Sequence, residues 1–294
     1  MQPPGFNPVL SVLKAGTGQS IVTSTPPGIS CGLQCSKDYT IGTEVSLAVI
    51  TEPGSVFIGW SGDCYPCGKQ KTCKITMDVQ KACVAVTNSR LRNGWNLLGL
   101  TGGNAKDLDT LLGKNKDKVS SVWRWVQEGD EFKWGVALPG YEGNGKSYAE
   151  AKGFSLIQDV EPGKGFWVRA NNLGEDEEIV LTGDEIGTPG AKLSVDKLSW
   201  QLVSLISGRD KSIEELIQGK EDKITSIWKW DIDENNNMKW FVYLPGQEDK
   251  GQSYASSKGF GFINTIRVGE GFWVNVKNLN AGEQLILDSN LSNQ

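Results

Sequence analysis

SVWRWVQEGDEFKWGVALPG (residues 121–140) returns further along the chain as TSIWKWDIDENNNMKWFVYLPG (residues 225–246), with its paired tryptophans, polar turn and Leu-Pro-Gly ending in place. Residues two apart in a strand share a face, so Trp123 and Trp125 point one way while Val122, Arg124 and Val126 point the other. In the second segment Trp228 and Trp230 oppose Ile227, Lys229 and Asp231. The following strand groups Trp134 with Phe132, Val136 and Leu138, and Trp240 with Val242 and Leu244. The tryptophan face is thus the more apolar one. Because a buried indole removes roughly 150–250 Å² from water, Trp123, Trp125, Trp134 and their counterparts are expected to form the core.

Outward from these strands the repeat continues. GWNLLGL (94–100) answers SWQLVSL (199–205), and KSYAEAKGFSLIQDVEPGKGFWVRA (146–170) answers QSYASSKGFGFINTIRVGEGFWVNV (252–276). Ten of the 11 Trp form five matched pairs, and Trp60 stands apart. A unit this long exceeds the roughly 20–50 residues of solenoid repeats, so each copy should be a small domain of its own. Strands are expected at 94–100, 119–126, 132–138, 154–160, 165–170 and 177–182, with one short helix near 105–112 and an irregular stretch around SYAEAKGF. The helix is supported by its echo DKSIEELIQG, where Ile213, Leu216 and Ile217 fall three and four apart.

The closing GxGFWV strand has a different pattern. Phe166 and Val168 share one face, whereas Trp167 lies with Arg169, and Trp273 with Asn275. An aromatic plane beside a planar hydrogen-bonding group suits a sugar ring or a partner protein. Trp167, Arg169, Trp273 and Asn275 are therefore candidate ligand-binding residues. Phe241 and Tyr243 join them, since they occupy the face that holds only Gly135 and Ala137 in the first copy.

Composition narrows the chemistry. The 294 residues carry a formal charge of −5 and contain no histidine, which removes imidazole bases, Ser-His-Asp triads and the commonest transition-metal ligand. No basic stretch with interleaved aromatics would track a phosphate backbone, so nucleic acid is not an expected partner. No window approaches the roughly 18 apolar residues of a spanning helix. The 36 Gly suit short strands joined by tight turns. The fold class expected is mainly β, a β-rich α+β chain.

All six cysteines, Cys31, Cys35, Cys64, Cys67, Cys73 and Cys83, lie in the first block. Up to Arg90 there are seven basic and five acidic residues, leaving 23 against 30 beyond it. Together these mark a boundary, giving a cysteine-rich domain at 1–90, a Trp-rich copy at 91–183, a Gly- and Pro-containing linker at 184–196 and a second copy at 197–294. A four-thiolate zinc site built on Cys64-x-x-Cys67 with Cys73 and Cys83 is the rival to disulfides. Such sites usually show two tight CxxC pairs and only one is present, so no metal is assigned. Six cysteines allow 15 pairings, and the residues alone do not choose among them.

KAGTG (14–18), PPGISCGLQC (26–35), FIGWSGDC (57–64) and TCKITMD (72–78) make residues 10–88 resemble a divergent internalin-type B-repeat, a repeat of exported bacterial surface proteins. The resemblance implies a small β-grasp-like sheet on an extracellular or cell-surface protein, acting as spacer or adhesive module without a catalytic site. It also implies pairing of Cys31 with Cys35 and of Cys64 with Cys73, leaving Cys67 and Cys83 for a possible third bridge. The tandem copies are similar to uncharacterised modules of secreted bacterial proteins. A bare Met before Gln-Pro-Pro suits an exported chain whose signal has been removed, and an intracellular protein as well.

Other signals are weaker. DIDENNN (231–237) alternates oxygen ligands like the start of a calcium loop but lacks the Gly at position six and the terminal Glu, so a polar hairpin is expected. EDEE (175–178) reads as a solvated edge. No cofactor is implied. The leading reading is a non-enzymatic exported surface protein acting in adhesion or scaffolding. The alternatives are a polysaccharide-binding module and a self-assembling subunit of a surface layer or filament.

Overall fold

The computed structural model describes residues 7–101, 104–174, 181, 192–235 and 237–289. It is mainly β. The first block contains β1 (Val9–Ala15), β2 (Ser20–Thr25), β3 (Ser30–Cys31), β4 (Ser36–Asp38), β5 (Glu44–Thr51), β6 (Ser55–Gly62), β7 (Thr72–Thr76) and β8 (Lys81–Ser89). These make two four-stranded sheets, β4-β1-β8-β6 and β3-β2-β5-β7, with β1 and β8 parallel. Alternating burial along β1 and β5 sends Leu10, Val12, Val45 and Leu47 into a shared core with Trp60, Met77 and the cysteines. Trp60 is 4% exposed and its indole N–H donates to the Gln70 carbonyl at 2.9 Å.

The disulfides are Cys31–Cys35, Cys64–Cys83 and Cys67–Cys73. The first is the pair that the resemblance implies. The other two exchange partners relative to Cys64–Cys73 and Cys67–Cys83. Strand pairing is the reason: β6 lies against β8 with Gly62 opposite Cys83, which delivers Cys64 to Cys83. A 3-10 turn at Tyr65–Cys67 then turns the chain back, so Cys67 meets Cys73 on β7.

The first copy runs β9 (Gly94–Gly99), β10 (Lys106–Asp107), α1 (Leu108–Leu112), β11 (Val119–Glu128), β12 (Glu131–Ala137), α2 (Lys146–Lys152), β13 (Ser155–Leu156), β14 (Asp159–Val160) and β15 (Gly165–Ala170). The second runs β16 (Lys192–Val195), β17 (Ser199–Ser204), β18 (Lys211–Ser212), α3 (Ile213–Ile217), β19 (Ile224–Ile232), β20 (Met238–Tyr243), α4 (Gln252–Lys258), β21 (Gly261–Phe262), β22 (Thr265–Ile266), β23 (Gly271–Val276) and β24 (Leu285–Ser289). Each forms a five-stranded sheet of matching order, β13-β12-β11-β15-β9 and β21-β20-β19-β23-β17. The expected helix is present as α1 and α3. Their N-caps are Asp107, which accepts from the Thr110 amide at 2.8 Å, and Ser212, which accepts from the Glu215 amide at 3.1 Å.

Three local features differ from the sequence reading. A second short helix in each copy, α2 and α4, replaces the expected irregular stretch; both begin after and end at a glycine in the left-handed conformation. The expected strand 154–160 is two short strands, β13 beside β12 and β14 beside β10. Within the stretch 184–196, read as linker, Lys192–Val195 is β16, paired with β24; residues 184–191 lie outside the described residues. Of the expected strand 177–182, only Leu181 is described. Its amide donates to the Ser89 carbonyl at the end of β8 at 3.4 Å.

The buried side of the first five-stranded sheet carries Leu98, Val122, Ala137, Phe166 and Val168, packed with Leu108, Leu111 and Leu112 of α1. In the second copy Val203, Ile227, Tyr243, Phe272 and Val274 pack with Ile213, Leu216 and Ile217 of α3. This corrects the expectation that the tryptophan face is the core. Arg124 and Lys229, whose charge made the other face look solvated, are buried and paired with carboxylates, although the Arg124 Nε has no hydrogen-bond partner. Arg124 reaches the Asp159 carbonyl at 2.7 Å, the Asp159 carboxylate at 3.0 Å and Glu161 at 2.8 Å. Lys229 reaches Glu270 at 2.8 Å and Asp231 at 3.0 Å.

The copies meet through an approximate two-fold exchange. The Gly99 amide at the end of β9 donates to Gly269 at 2.9 Å, and the Ser204 amide at the end of β17 donates to Gly163 at 3.0 Å. The end of β1 and the β1–β2 turn wedge beside this junction: Lys14 of β1 pairs with Asp210, and the side chain of Gln19 in the turn bonds Glu270 at 3.1 Å and Arg267 at 2.8 Å.

Candidate functional site

The face opposite the core collects all ten repeat tryptophans. Register places Trp123 opposite Trp167 and Trp125 opposite Trp134, then repeats this with Trp228 opposite Trp273 and Trp230 opposite Trp240. At the two-fold exchange each closing tryptophan enters the other copy's set. Trp273 lies edge-to-face against Trp125 at 5.9 Å and Trp134 at 5.8 Å, while Trp167 lies against Trp230 at 6.4 Å and Trp240 at 5.8 Å. Trp95 and Trp200 extend the two rows, 6.0 Å from Trp167 and 6.1 Å from Trp273. Such T-shaped pairs place positive ring edges on negative ring faces.

Two indole N–H groups tie the copies together directly: Trp125 donates to the Trp200 carbonyl at 2.9 Å and Trp230 to the Trp95 carbonyl at 3.3 Å. Trp123 and Trp228 instead pack their rings on Phe154 and Phe260, at 5.2 and 5.3 Å, and their indole nitrogens have no hydrogen-bond partner.

Despite these contacts, none of the ten tryptophans is buried. Eight are partly exposed, and Trp95 and Trp200 are 41% and 37% exposed. Two open hollows result. One, of about 530 Å³, is lined by Trp95, Trp123, Trp134, Trp167, Trp230, Trp240 and Trp273. The other, of about 450 Å³, is lined by Trp125, Trp134, Trp200, Trp228, Trp240, Phe260 and Trp273. They share Trp134, Trp240 and Trp273 as a common wall, so the cleft is a pair of aromatic subsites, each built from both copies.

Of the residues singled out from sequence, Trp167 and Trp273 are at the centre of this cleft. Arg169 is exposed at its edge, with its guanidinium carbon 5.7 Å above the Trp95 ring. Asn275 is the matching residue opposite Trp200. Phe241 and Tyr243 are elsewhere: they project from the other side of β20. Tyr243 is 2% exposed in the core, 5.6 Å from Phe262. Phe241 is half-buried between Lys229 and Lys239, at 5.8 and 5.7 Å. The small Gly135 they were compared with is packed tightly, since a methyl there would sit 2.6 Å from Ile157. The second copy makes room for Phe241 by placing Gly261 beneath its ring.

Sequence reasoning missed the other eight tryptophans as cleft residues. Once β15 is set beside β11, the register Trp123–Trp167 puts all of them on the face opposite Phe166 and Val168.

The DIDENNN segment is a hairpin: Asp231 is turned toward Lys229, and Asp233 accepts from the amides of Asn235 and Asn237, both at 2.9 Å. Behind it, at the junction of the three blocks, a polar hollow of about 300 Å³ is lined by residues that include Gln19, Lys229, Asp231, Arg267 and Glu270. Burial pushes the Glu270 carboxyl up. Burial alone would lower Lys229, but Glu270 and Asp231 outweigh it and hold the ammonium above its ordinary range. The charges are matched to one another, as in an anchoring network.

Among the described residues no helix is long and apolar enough to cross a membrane. Comparison with curated proteins and with solved structures returns no match. Residues 21–89 match the family model described as the divergent InlB B-repeat domain, so the disulfide-bonded block before the tandem copies is of the bacterial surface-repeat kind.

Proposed function

We propose that this chain is a non-enzymatic, exported surface module that binds extracellular polysaccharide in the tryptophan cleft and so serves adhesion. The observation that carries the reading is the convergence of ten tryptophans from two copies, none of them buried, on one open cleft. Leaving indoles in water forgoes roughly 25 cal/mol for each Å² not buried, and a contiguous apolar patch of this kind marks an interaction surface. Sugar rings present flat C–H faces that stack on indoles, and two adjoining subsites suit a polymer more than a single small molecule. The disulfides and the surface-repeat resemblance support an oxidising, extracellular setting.

Affinity electrophoresis of the intact chain through gels containing soluble polysaccharides tests the reading. Trp167→Ala and Trp273→Ala are expected each to restore mobility, with urea midpoints showing that both variants remain folded. Equal retardation of wild type and both variants would remove the proposal. A second reading, self-assembly through the cleft, is favoured by the nearly complete lack of polar atoms in its lining. Light scattering that shows a monomer at all concentrations rejects it.

A further inference from the structure

Related by the two-fold exchange, the two aromatic subsites would accept a polymer equally well in either direction if their ends were alike. They are not alike. At the end marked by Trp95, the exposed Arg169 lies two residues from Trp167 on the same strand face, with its guanidinium carbon 5.7 Å over the Trp95 ring. Among the described residues it has no carboxylate partner. A cation–π contact at this distance uses none of the guanidinium's N–H donors, which are left for a planar, bidentate acceptor. At the other end the equivalent of Arg169 is Asn275, opposite Trp200. The nearby cation there, Lys197, is already neutralised by Asp130 at 2.9 Å. One end of an otherwise apolar cleft is therefore cationic and the other is neutral.

We propose that the cleft selects an acidic polysaccharide of the uronic-acid class and fixes its direction, with a sugar carboxylate on Arg169 and neutral ring faces on the tryptophans toward Trp200. This rests on the polysaccharide reading above. The contact is exposed, so its contribution falls in the range of surface ion pairs, about 0.2–1 kcal/mol, or up to about fivefold in affinity.

The test is calorimetric titration of the intact chain with a galacturonate hexamer and with the same hexamer fully methyl-esterified, which keeps the rings and removes the charge. The wild type is expected to prefer the acid several-fold at low salt, with the preference shrinking as salt rises. Arg169→Asn should abolish the preference, and Asn275→Arg should increase it by supplying a second cationic end. An acid preference that survives in Arg169→Asn, or no preference in the wild type, overturns the inference. Trp167→Ala separates the two levels. If it weakens both hexamers while Arg169→Asn leaves the acid preference intact, the polysaccharide reading stands and this inference falls. If neither hexamer binds the wild type, this inference falls and the polysaccharide reading is decided by the affinity electrophoresis; if Trp167→Ala and Trp273→Ala weaken neither hexamer and leave retardation in the gels unchanged, both fall.

Discussion

A hydroxymethyl group moved across the two-fold junction tests how tightly the two copies are locked. Gly99 and Ser204 are equivalent positions, and a Cβ on Gly99 would sit 2.1 Å from the Ser204 Cβ, 2.7 Å from its Oγ and 2.9 Å from the Glu270 carbonyl. Backbone holds both sides, since β9 and β17 are each bonded across the junction through Gly269 and Gly163. Gly99→Ser therefore forces the sheets apart, and overpacking of this kind costs about 1–3 kcal/mol; the upper end is expected because the clash includes main chain. Ser204→Gly alone loses the hydroxyl's bonds to Leu100 at 3.1 Å and Lys164 at 3.4 Å, about 1 kcal/mol. The double variant returns one hydroxymethyl to the junction from the opposite copy. It should recover most of the loss, giving a coupling of about 2–3 kcal/mol, the size seen for residues in direct contact. Urea unfolding followed by tryptophan fluorescence reads this, because the ten cleft indoles report on separation of the copies. A Gly99→Ser variant within about 0.5 kcal/mol of wild type would refute the reasoning; so would a double variant whose cost equals the sum of the singles.

Two more predictions concern buried charge. Lys229→Met leaves Glu270, which is 5% exposed, with amide donors from Gln19 and Arg267 in place of the ammonium, and should cost about 3–5 kcal/mol. Arg124→Met should cost about 1 kcal/mol, because the Asp159 and Glu161 side chains are 46% and 47% exposed and can take water instead; equal costs in urea melts would contradict the argument. The Arg209 guanidinium, and after it Lys211, hold the Glu215 carboxylate below its ordinary value of 4.5 against the opposing effect of burial. A carboxyl lowered on folding contributes stability that is present above its unfolded pKa and lost as pH falls through its folded one. Between pH 5 and pH 3 the urea midpoint of Glu215→Gln should fall less than that of wild type, and parallel curves would show that the pair contributes nothing.

The duplication, the strand pairs around each polar turn and the α1/α3 helices were legible because each rests on local periodicity. The choice of buried face was not, because it turned on Arg124 and Lys229. A charged residue in a strand reads as solvent-facing until partners such as Asp159, Glu161 and Glu270 come to it from loops distant in sequence. The same inversion hid the cleft. Trp167 was recognisable from its neighbour Arg169, whereas Trp123 and Trp125 looked like core, yet register joins all three on one side. Tyr243 lies in the core for the converse reason, since the small residues at Gly135 and Ala137 mark close packing on an interior face. Helices α2 and α4 span seven residues each, too short for an apolar stripe to register as a pattern.

The hydrogen bond from Leu181 to Ser89 has a mechanical meaning. Strand β8 belongs to the first block, yet its last residue, Ser89, accepts from Leu181 of the first tryptophan copy, and the chain continues from it into β9, so traction on that copy passes into β8 along its own axis. There β1 lies parallel to it over six register pairs, from Leu10–Lys81 to Ala15–Val86. A pull between Val9 and the cleft slides these two strands lengthwise and loads their bonds together, whereas a hairpin pulled at its open end would peel one bond at a time. Resistance to such a pull is set by the rate of unfolding more than by equilibrium stability, and a parallel pair loaded in shear raises the barrier that sets that rate.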